Sequence, residues 1–178
     1  MTTLAIRELD DEAASRHRDG LARILADCVE GGASVSFMWP FGPETAQSFW
    51  RRVIEQVGQS KARLFVAFAE AEPVGTVLLD LDLPENQPHR AEIRKLLVRP
   101  AWRGAGIAAG LMTAAEKAAV QSGRTLLTLD TVTDSAGDRL YRRLGWTCIG
   151  AIPGFALWPD GRPCDASIFY KEIRPPAP

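Results

Sequence analysis

The chain has 178 residues, of which 46% are hydrophobic and 24% charged, and its formal net charge is -1. These values are typical of one globular domain with a substantial core. The near-neutral charge gives no electrostatic basis for binding nucleic acid or an anionic membrane surface, so we expect the partners to be small molecules.

The three cysteines and two histidines do not form a metal-binding pattern. No C-x-x-C or H-x-x-x-H pair occurs, which favours a reducing compartment and argues against zinc. The N-terminus lacks the basic start and apolar run of a signal peptide, and no run of about 18 apolar residues occurs. We therefore expect a cytoplasmic protein, with a single domain over residues 1–174 and a disordered tail over 175–178.

The first half of the chain alternates between strand and helix patterns. The clearest helix begins with Pro43 and Glu44, which suit a first helical turn, and it stops at Gly58. In order, the predicted elements are a strand over 4–9, a helix ending at 31–32, a helix over 43–58, and a hairpin of strands 64–69 and 74–83.

The second half is organised around residues 92–120, which show a strand pattern, a loop with glycines and a helical apolar period. Pro100 ends the strand because proline has no N–H for the ladder and restricts the residue before it. The elements predicted after the helix are a strand over 125–130, a helix over 135–144, a strand over 146–152, a loop over 153–163 and a strand over 166–172. The predicted fold is α/β (α+β), with a mixed, mostly antiparallel sheet flanked by helices.

The glycine loop at the start of the central helix predicts an anion site. The first four N–H groups of a helix have no internal partner and carry the positive end of the helix dipole, so they bind phosphate well. Small residues let the anion approach the backbone, and Arg103 can add a charged hydrogen bond. The residues of the predicted site are Arg103, Gly104, Ala105, Gly106, Ile107, Ala108 and Ala109.

Two other kinds of protein carry similar glycines. A dinucleotide-binding fold is favoured by the spacing of Gly104, Gly106 and Ala109 and by an acid, Asp130, that ends the next strand. Against it, residues 99–103 separate the strand from the glycines, and too few βα units follow. A phosphate loop of nucleoside triphosphatases is excluded because no Gly-Lys-Ser/Thr occurs. A module that binds its ligand without chemistry remains open.

The stretch V-x-P-x-x-R-G-x-G-I-A, residues 98–108, resembles motif A of the GNAT N-acetyltransferases. Its signature R/Q-x-x-G-x-G/A binds the pyrophosphate of acetyl-CoA in that family. The segments 31–38, 126–131 and 153–154 are similar to the tabtoxin-resistance acetyltransferases, so the resemblance covers nearly the whole chain. It implies the GNAT fold with a splayed sheet, acetyl-CoA as cofactor, a small-molecule amine as acceptor, and a homodimer.

Acetyl transfer from a thioester to an amine needs a neutral amine, donors for the developing oxyanion and a proton for the leaving thiolate. The resemblance assigns the backbone of Leu96, Leu97 and Val98 to the thioester and pantetheine arm. Tyr141 lies in a segment similar to the family pattern L-Y-x-x-x-G-F, whose tyrosine protonates the CoA sulfur. Asp134 takes the place of an asparagine that contacts the cofactor in many members.

Two carboxylates are candidates for the base, and each has a structural alternative. Glu92 lies on the central strand and can instead pair with a nearby arginine; Asp130 ends the next strand and can instead cap a turn. Asp130 is favoured, because an acid that follows a wholly apolar run has a desolvated side. Residues 31–41, with Phe155 and Trp158, are expected to line the acceptor site. Direct attack is expected because no cysteine has a histidine near it in sequence.

Overall fold

The structure is a computed structural model that describes residues 3–173. Within those residues, seven strands form one sheet and five helices pack against it. The strands are β1 (Leu4–Leu9), β2 (Ala62–Ala69), β3 (Glu72–Asp80), β4 (Arg90–Val98), β5 (Leu126–Val132), β6 (Thr147–Leu157) and β7 (Pro163–Glu172). The helices are α1 (Asp11–Arg16), α2 (Arg18–Glu30), α3 (Pro43–Gly58), α4 (Ile107–Gln121) and α5 (Ala136–Arg143).

The sheet has the strand order β1-β2-β3-β4-β5-β7-β6. Only the central pair, β4 and β5, is parallel, and every other neighbouring pair is antiparallel. This confirms the predicted mixed, mostly antiparallel sheet flanked by helices. None of the helices within residues 3–173 has the length and apolar character needed to cross a membrane. The predicted domain end at 174 and tail at 175–178 fall beyond the described residues.

Helices cover both faces of the sheet. Alternate residues of β2 enter two separate cores, as expected when successive side chains point to opposite faces. One core contains the apolar side of α4, including Leu111 and Met112, together with Tyr141 of α5. The other contains α1, α2 and α3, with Trp50 fully buried. Because the apolar side of α4 is buried in the first of these cores, the start of α4 is held next to the end of β4.

The sheet opens between its two central strands. β4 and β5 pair only over residues 90–92 and 126–128, so the rest of β4 has no partner on that side. On its other side β4 stays paired with β3, but with a bulge, since Thr76 pairs with Leu97 and Leu78 pairs with Arg94. Lys95, in this bulge, has a left-handed backbone with φ of 52°. The opening is the splay that the family resemblance implied.

One predicted loop is wrong in its bounds. The first five residues of the Pro- and Gly-rich stretch 153–163 belong to β6, which continues to Leu157, and β7 already begins at Pro163. β6 can include Pro153 and Gly154 because it lies at the sheet edge and its register shifts between Ile152 and Ala156. Gly154 has φ of 61° and donates its N–H to Asp165 Oδ1 at 2.8 Å. The short helix α1, capped by Asp10, was not predicted.

Candidate active site

A groove of about 610 Å³ runs along the open side of β4 and past the starts of α4 and α5. We call it the glycine-loop groove. Most of the predicted cofactor-binding residues line it: Leu96, Leu97, Val98, Arg103, Gly104, Gly106, Ile107, Ala108 and Ala109. The end of β4, the start of α4 and the start of α5 therefore enclose one space, whose volume is in the usual range for small-molecule and cofactor sites.

The glycine loop presents bare backbone to this groove. Gly104 and Gly106 have φ of 83° and 77°, a region that favours glycine. A Cβ atom built at either position would meet nothing within 4 Å, so the space beside the backbone is free. Helix α4 has no capping side chain, and its first turn therefore offers unpaired N–H groups. This arrangement fits a pyrophosphate group.

Arg103 lies at the same end of the groove. Its Nε donates to the carbonyl oxygen of Val98 at 3.1 Å, which ties the loop to the end of β4. The residue is exposed, so its guanidinium group is accessible to an anion at the helix start. The predicted charged hydrogen bond to a phosphate is compatible with this position.

Two predicted cofactor contacts are not among the groove-lining residues. Ala105 is exposed within the loop, between the two glycines. Asp134 has φ of 60° in the turn before α5, where its N–H donates to Asp138 Oδ2 at 3.2 Å. The next residues, Ser135, Ala136 and Gly137, line the groove instead. The start of α5 thus contributes to the site through positions that the sequence did not identify.

A second space of about 370 Å³ lies on the other side of the opening between β4 and β5. We call it the carboxylate cavity, because Glu92, Asp130 and Asp165 all line it. It shares Val35, Leu96 and Leu97 with the glycine-loop groove. The two spaces therefore meet at the splayed part of β4.

Glu92 is the more desolvated of the two base candidates. It is half-buried, and its Oε2 lies 3.8 Å from the guanidinium of Arg90. Burial raises the pKa of Glu92, with smaller contributions from Asp80 and Asp130, while Arg94 and Arg90 oppose the shift. Asp130, in contrast, is exposed. The sequence favoured Asp130 as the desolvated carboxylate, whereas in the structure Glu92 is the more buried of the two.

Tyr141, a buried residue, lines the carboxylate cavity. The residue is 5% exposed, and its ring packs between Trp146 and Phe169 at centroid distances of 5.9 and 5.8 Å. Burial, and to a smaller degree the charge of Asp130, raises the pKa of Tyr141 well above its ordinary value. The hydroxyl therefore carries its proton at neutral pH. No partner for this hydroxyl occurs among residues 3–173.

Lys95 lines the carboxylate cavity as well, and sequence reasoning missed it. In a regular strand it would point away from Glu92, and no local sequence signal indicates the bulge that reverses it. Of the residues 31–41 expected at the acceptor site, Ser34, Val35 and Ser36 line this cavity. Phe155 is 49% exposed, and Ala156 lines the cavity in place of Phe155 and Trp158. No cluster that could hold a metal ion occurs in the described part of the chain.

Comparison with known proteins identifies the family. The model of the acetyltransferase (GNAT) family matches residues 19–146. An N-alpha-acetyltransferase, MAK3, from Arabidopsis thaliana is 37% identical over 83 residues, which cover 46% of this chain and 43% of that protein. The chain thus matches less than half the length of this curated relative.

Solved structures share the fold over nearly the whole chain. The yncA protein of Salmonella typhimurium, solved with its cofactor acetyl-CoA, has a TM-score of 0.79 at 16% identity, covering 99% of this chain and 98% of its own. The ribosomal-protein-alanine N-acetyltransferase of Brucella melitensis has a TM-score of 0.78 at 20% identity, covering 95% and 99%. Because the family model matches most of this chain, the chain belongs to the acetyltransferase (GNAT) family, which uses acetyl-CoA.

Proposed function

We propose that this protein is an N-acetyltransferase that moves an acetyl group from acetyl-CoA to the amine of a small molecule by direct attack. The observation that carries the proposal is the junction of two spaces at Leu96 and Leu97. One space has the backbone donors for a pyrophosphate, and the other has carboxylates that suit an ammonium group. A ligand in each would bring its reacting end to the same stretch of β4.

The chain's own groups have separate roles in this proposal. Bound acetyl-CoA supplies the activated acetyl thioester. Glu92 accepts the proton that the attacking amine must lose, and Asp130 holds the ammonium form as it enters. The unpaired side of β4 at Leu96, Leu97 and Val98 positions the pantetheine arm and offers backbone donors. Tyr141 donates its proton to the departing sulfur.

The direct test is a screen of amines and amino acids with purified protein and acetyl-CoA, in which release of free CoA is measured. At least one amine should release CoA well above the rate of spontaneous hydrolysis. If a broad panel released none while acetyl-CoA still bound, a module that binds CoA without chemistry would be the better interpretation. Tight binding of NADH in place of CoA would favour the dinucleotide alternative.

Exchange of Glu92 for glutamine should reduce transfer at neutral pH by about thirtyfold, since Asp130 in the same cavity can take over part of its role. A base works only when deprotonated, so the raised pKa of Glu92 sets the acidic limb of the wild-type rate profile. Glu92→Gln should remove this limb and make activity follow the acceptor's own deprotonation towards higher pH. The measurement is kcat/KM against pH for both proteins.

Asp130→Asn is the matched comparison. We expect it to raise the KM for the acceptor more than it lowers kcat, because Asp130 is exposed and holds the incoming ammonium. If Asp130→Asn abolished the acidic limb and Glu92→Gln kept it, the two roles would have to be exchanged. That outcome would restore the assignment favoured by the sequence.

Replacement of Cys164 with serine should leave the transfer rate within about twofold of wild type. Cys164 lines the carboxylate cavity, and its Sγ lies 3.6 Å from Ser34 Oγ, but neither histidine lines the cavity. Direct attack requires no thiol. Incubation with acetyl-CoA in the absence of acceptor, followed by intact-mass measurement, should show unmodified protein. An acetyl group on Cys164, lost on addition of an amine, would contradict direct transfer.

A polypeptide amine is the competing acceptor. The Arabidopsis relative is named as an N-alpha-acetyltransferase and the Brucella neighbour as a ribosomal-protein-alanine N-acetyltransferase. A small-molecule acceptor is favoured by the charged lining of the carboxylate cavity. The cytoplasmic location and the homodimer stay predictions.

A further inference from the structure

Lys95 occupies a backbone position that is built to turn it towards the acceptor. It lies in the bulge of β4 with φ of 52°, a conformation that few residues other than glycine adopt. Its carbonyl oxygen accepts a hydrogen bond from Thr76 Oγ1 at 3.0 Å, and Thr76 is fully buried. Without the bulge, strand alternation would place Lys95 on the face opposite Glu92 and Arg94. The bulge turns it to their side.

The ammonium group of Lys95 has no anionic partner among the residues that the structure describes. Its Nζ lies 3.1 Å from Ser36 Oγ and 5.8 and 5.6 Å from the ring centres of Phe37 and Phe49. Within the span 3–173, no carboxylate oxygen lies within 4.0 Å of it. Arg94 also lines the cavity, but it is already paired with Asp80 at 2.6 Å. A half-buried cation held only by a hydroxyl and aromatic faces is a position that an anion would stabilise.

The charge of Lys95 persists at neutral pH. Burial, with a smaller contribution from Arg94, lowers the pKa of Lys95 to about 8, and Asp130 opposes the shift. In most molecules the Lys95 side chain is therefore protonated, and so positively charged, at pH 7. The cavity thus has carboxylates at Glu92 and Asp130 and a separate cation at Lys95.

We propose that the acceptor is a zwitterion, an amine that also carries an anionic acid group, and that Lys95 with Ser36 binds this acid group while Glu92 and Asp130 receive the amine. This inference rests on the proposed acetyl transfer and narrows its substrate class to amino acids and compounds of the same charge pattern. Glu92 and Lys95 are three residues apart, so their Cα atoms are at most about 10 Å from each other, the span of a regular strand, and the bulge shortens this distance. Both side chains can then reach opposite ends of one small molecule.

The test compares each of several free amino acids with its C-terminal amide, which keeps the amine and removes the negative charge. Wild-type protein should show a kcat/KM at least about tenfold higher for the acids, as expected when a charge-assisted contact is lost. Lys95→Met should bring the acid-to-amide ratio close to one by slowing the acids alone. Lys95→Arg should retain part of the preference, and Ser36→Ala should reduce it by a smaller factor.

Lys117→Met is the control for loss of a positive charge, because Lys117 is exposed on α4 and lines neither space. It should keep the wild-type ratio. The inference would be overturned if the wild-type kcat/KM for the amides equalled or exceeded that for the acids. It would also be overturned if Lys95→Met lowered kcat/KM equally for acids and amides. Calorimetry of the acids with CoA-loaded protein adds a readout without turnover. Weaker binding in Lys95→Met supports the inference even if no transfer occurs, a result that would count against the proposed function alone.

Discussion

Gly106→Val should weaken acetyl-CoA binding by at least about a hundredfold. The free space beside Gly106 is the place where we expect the pyrophosphate, so a valine side chain would fill it. A β-branched residue also resists a φ of 77°, and the loop would have to move away from the start of α4. Loss of two charge-assisted hydrogen bonds, each of about 1.5 to 3 kcal/mol, accounts for an effect of this size. Isothermal titration calorimetry with acetyl-CoA measures it.

Gly123→Val provides the matched control for backbone strain. Gly123 follows the other end of α4, has φ of 70°, and likewise has no atom within 4 Å of a Cβ. Both variants should lose similar thermal stability, but only Gly106→Val should lose the cofactor. Unchanged acetyl-CoA affinity in a folded Gly106→Val protein would contradict the placement of the pyrophosphate at this loop. Equal losses of affinity in both variants would attribute the effect to general destabilisation.

Much of the fold could be predicted because its signals are local. Helix α3 has the predicted bounds, since proline at its first turn, a final glycine and a strong apolar period all act within one segment. The glycine loop was found for the same reason, because a strand, a proline, an arginine and a helix follow one another in order. Except for Ala105, its residues line the glycine-loop groove.

Features that depend on contacts between distant segments could not be predicted from local patterns. The bulge at Lys95 arises from the pairing of β4 with β3, and Thr76, 19 residues away in sequence, holds it. The extension of β6 through Pro153 depends on its place at the sheet edge. The sequence favoured Asp130 over Glu92 as the base because an apolar run precedes Asp130. Such a run indicates that the strand itself is buried. The exposure of a side chain that follows the run depends on the neighbouring strands and the opening between them.

We expect the largest loss of catalysis from Tyr141→Phe, and Tyr170→Phe is its control. Tyr141 and Tyr170 are the two tyrosines in the chain. Tyr170 lies half-buried on β7, paired in register with Thr128 and Thr147, and it lines neither space. Loss of its hydroxyl should leave acetyl transfer unchanged. Any decrease common to Tyr170→Phe and the Tyr141 variant would reflect packing and not proton donation.

Tyr141→Phe should lower kcat by about several hundredfold while acetyl-CoA binds almost as well as before. The ring contacts with Trp146 and Phe169 remain in phenylalanine, so the core that contains α5 should keep its stability. What is lost is a hydroxyl that is protonated at neutral pH, as tyrosine ordinarily is, and a donor to a departing thiolate must carry its proton. Burst kinetics and steady-state turnover with the best acceptor, together with thermal unfolding, separate chemistry from product release and folding. Full turnover in Tyr141→Phe would show that water or another group protonates the sulfur.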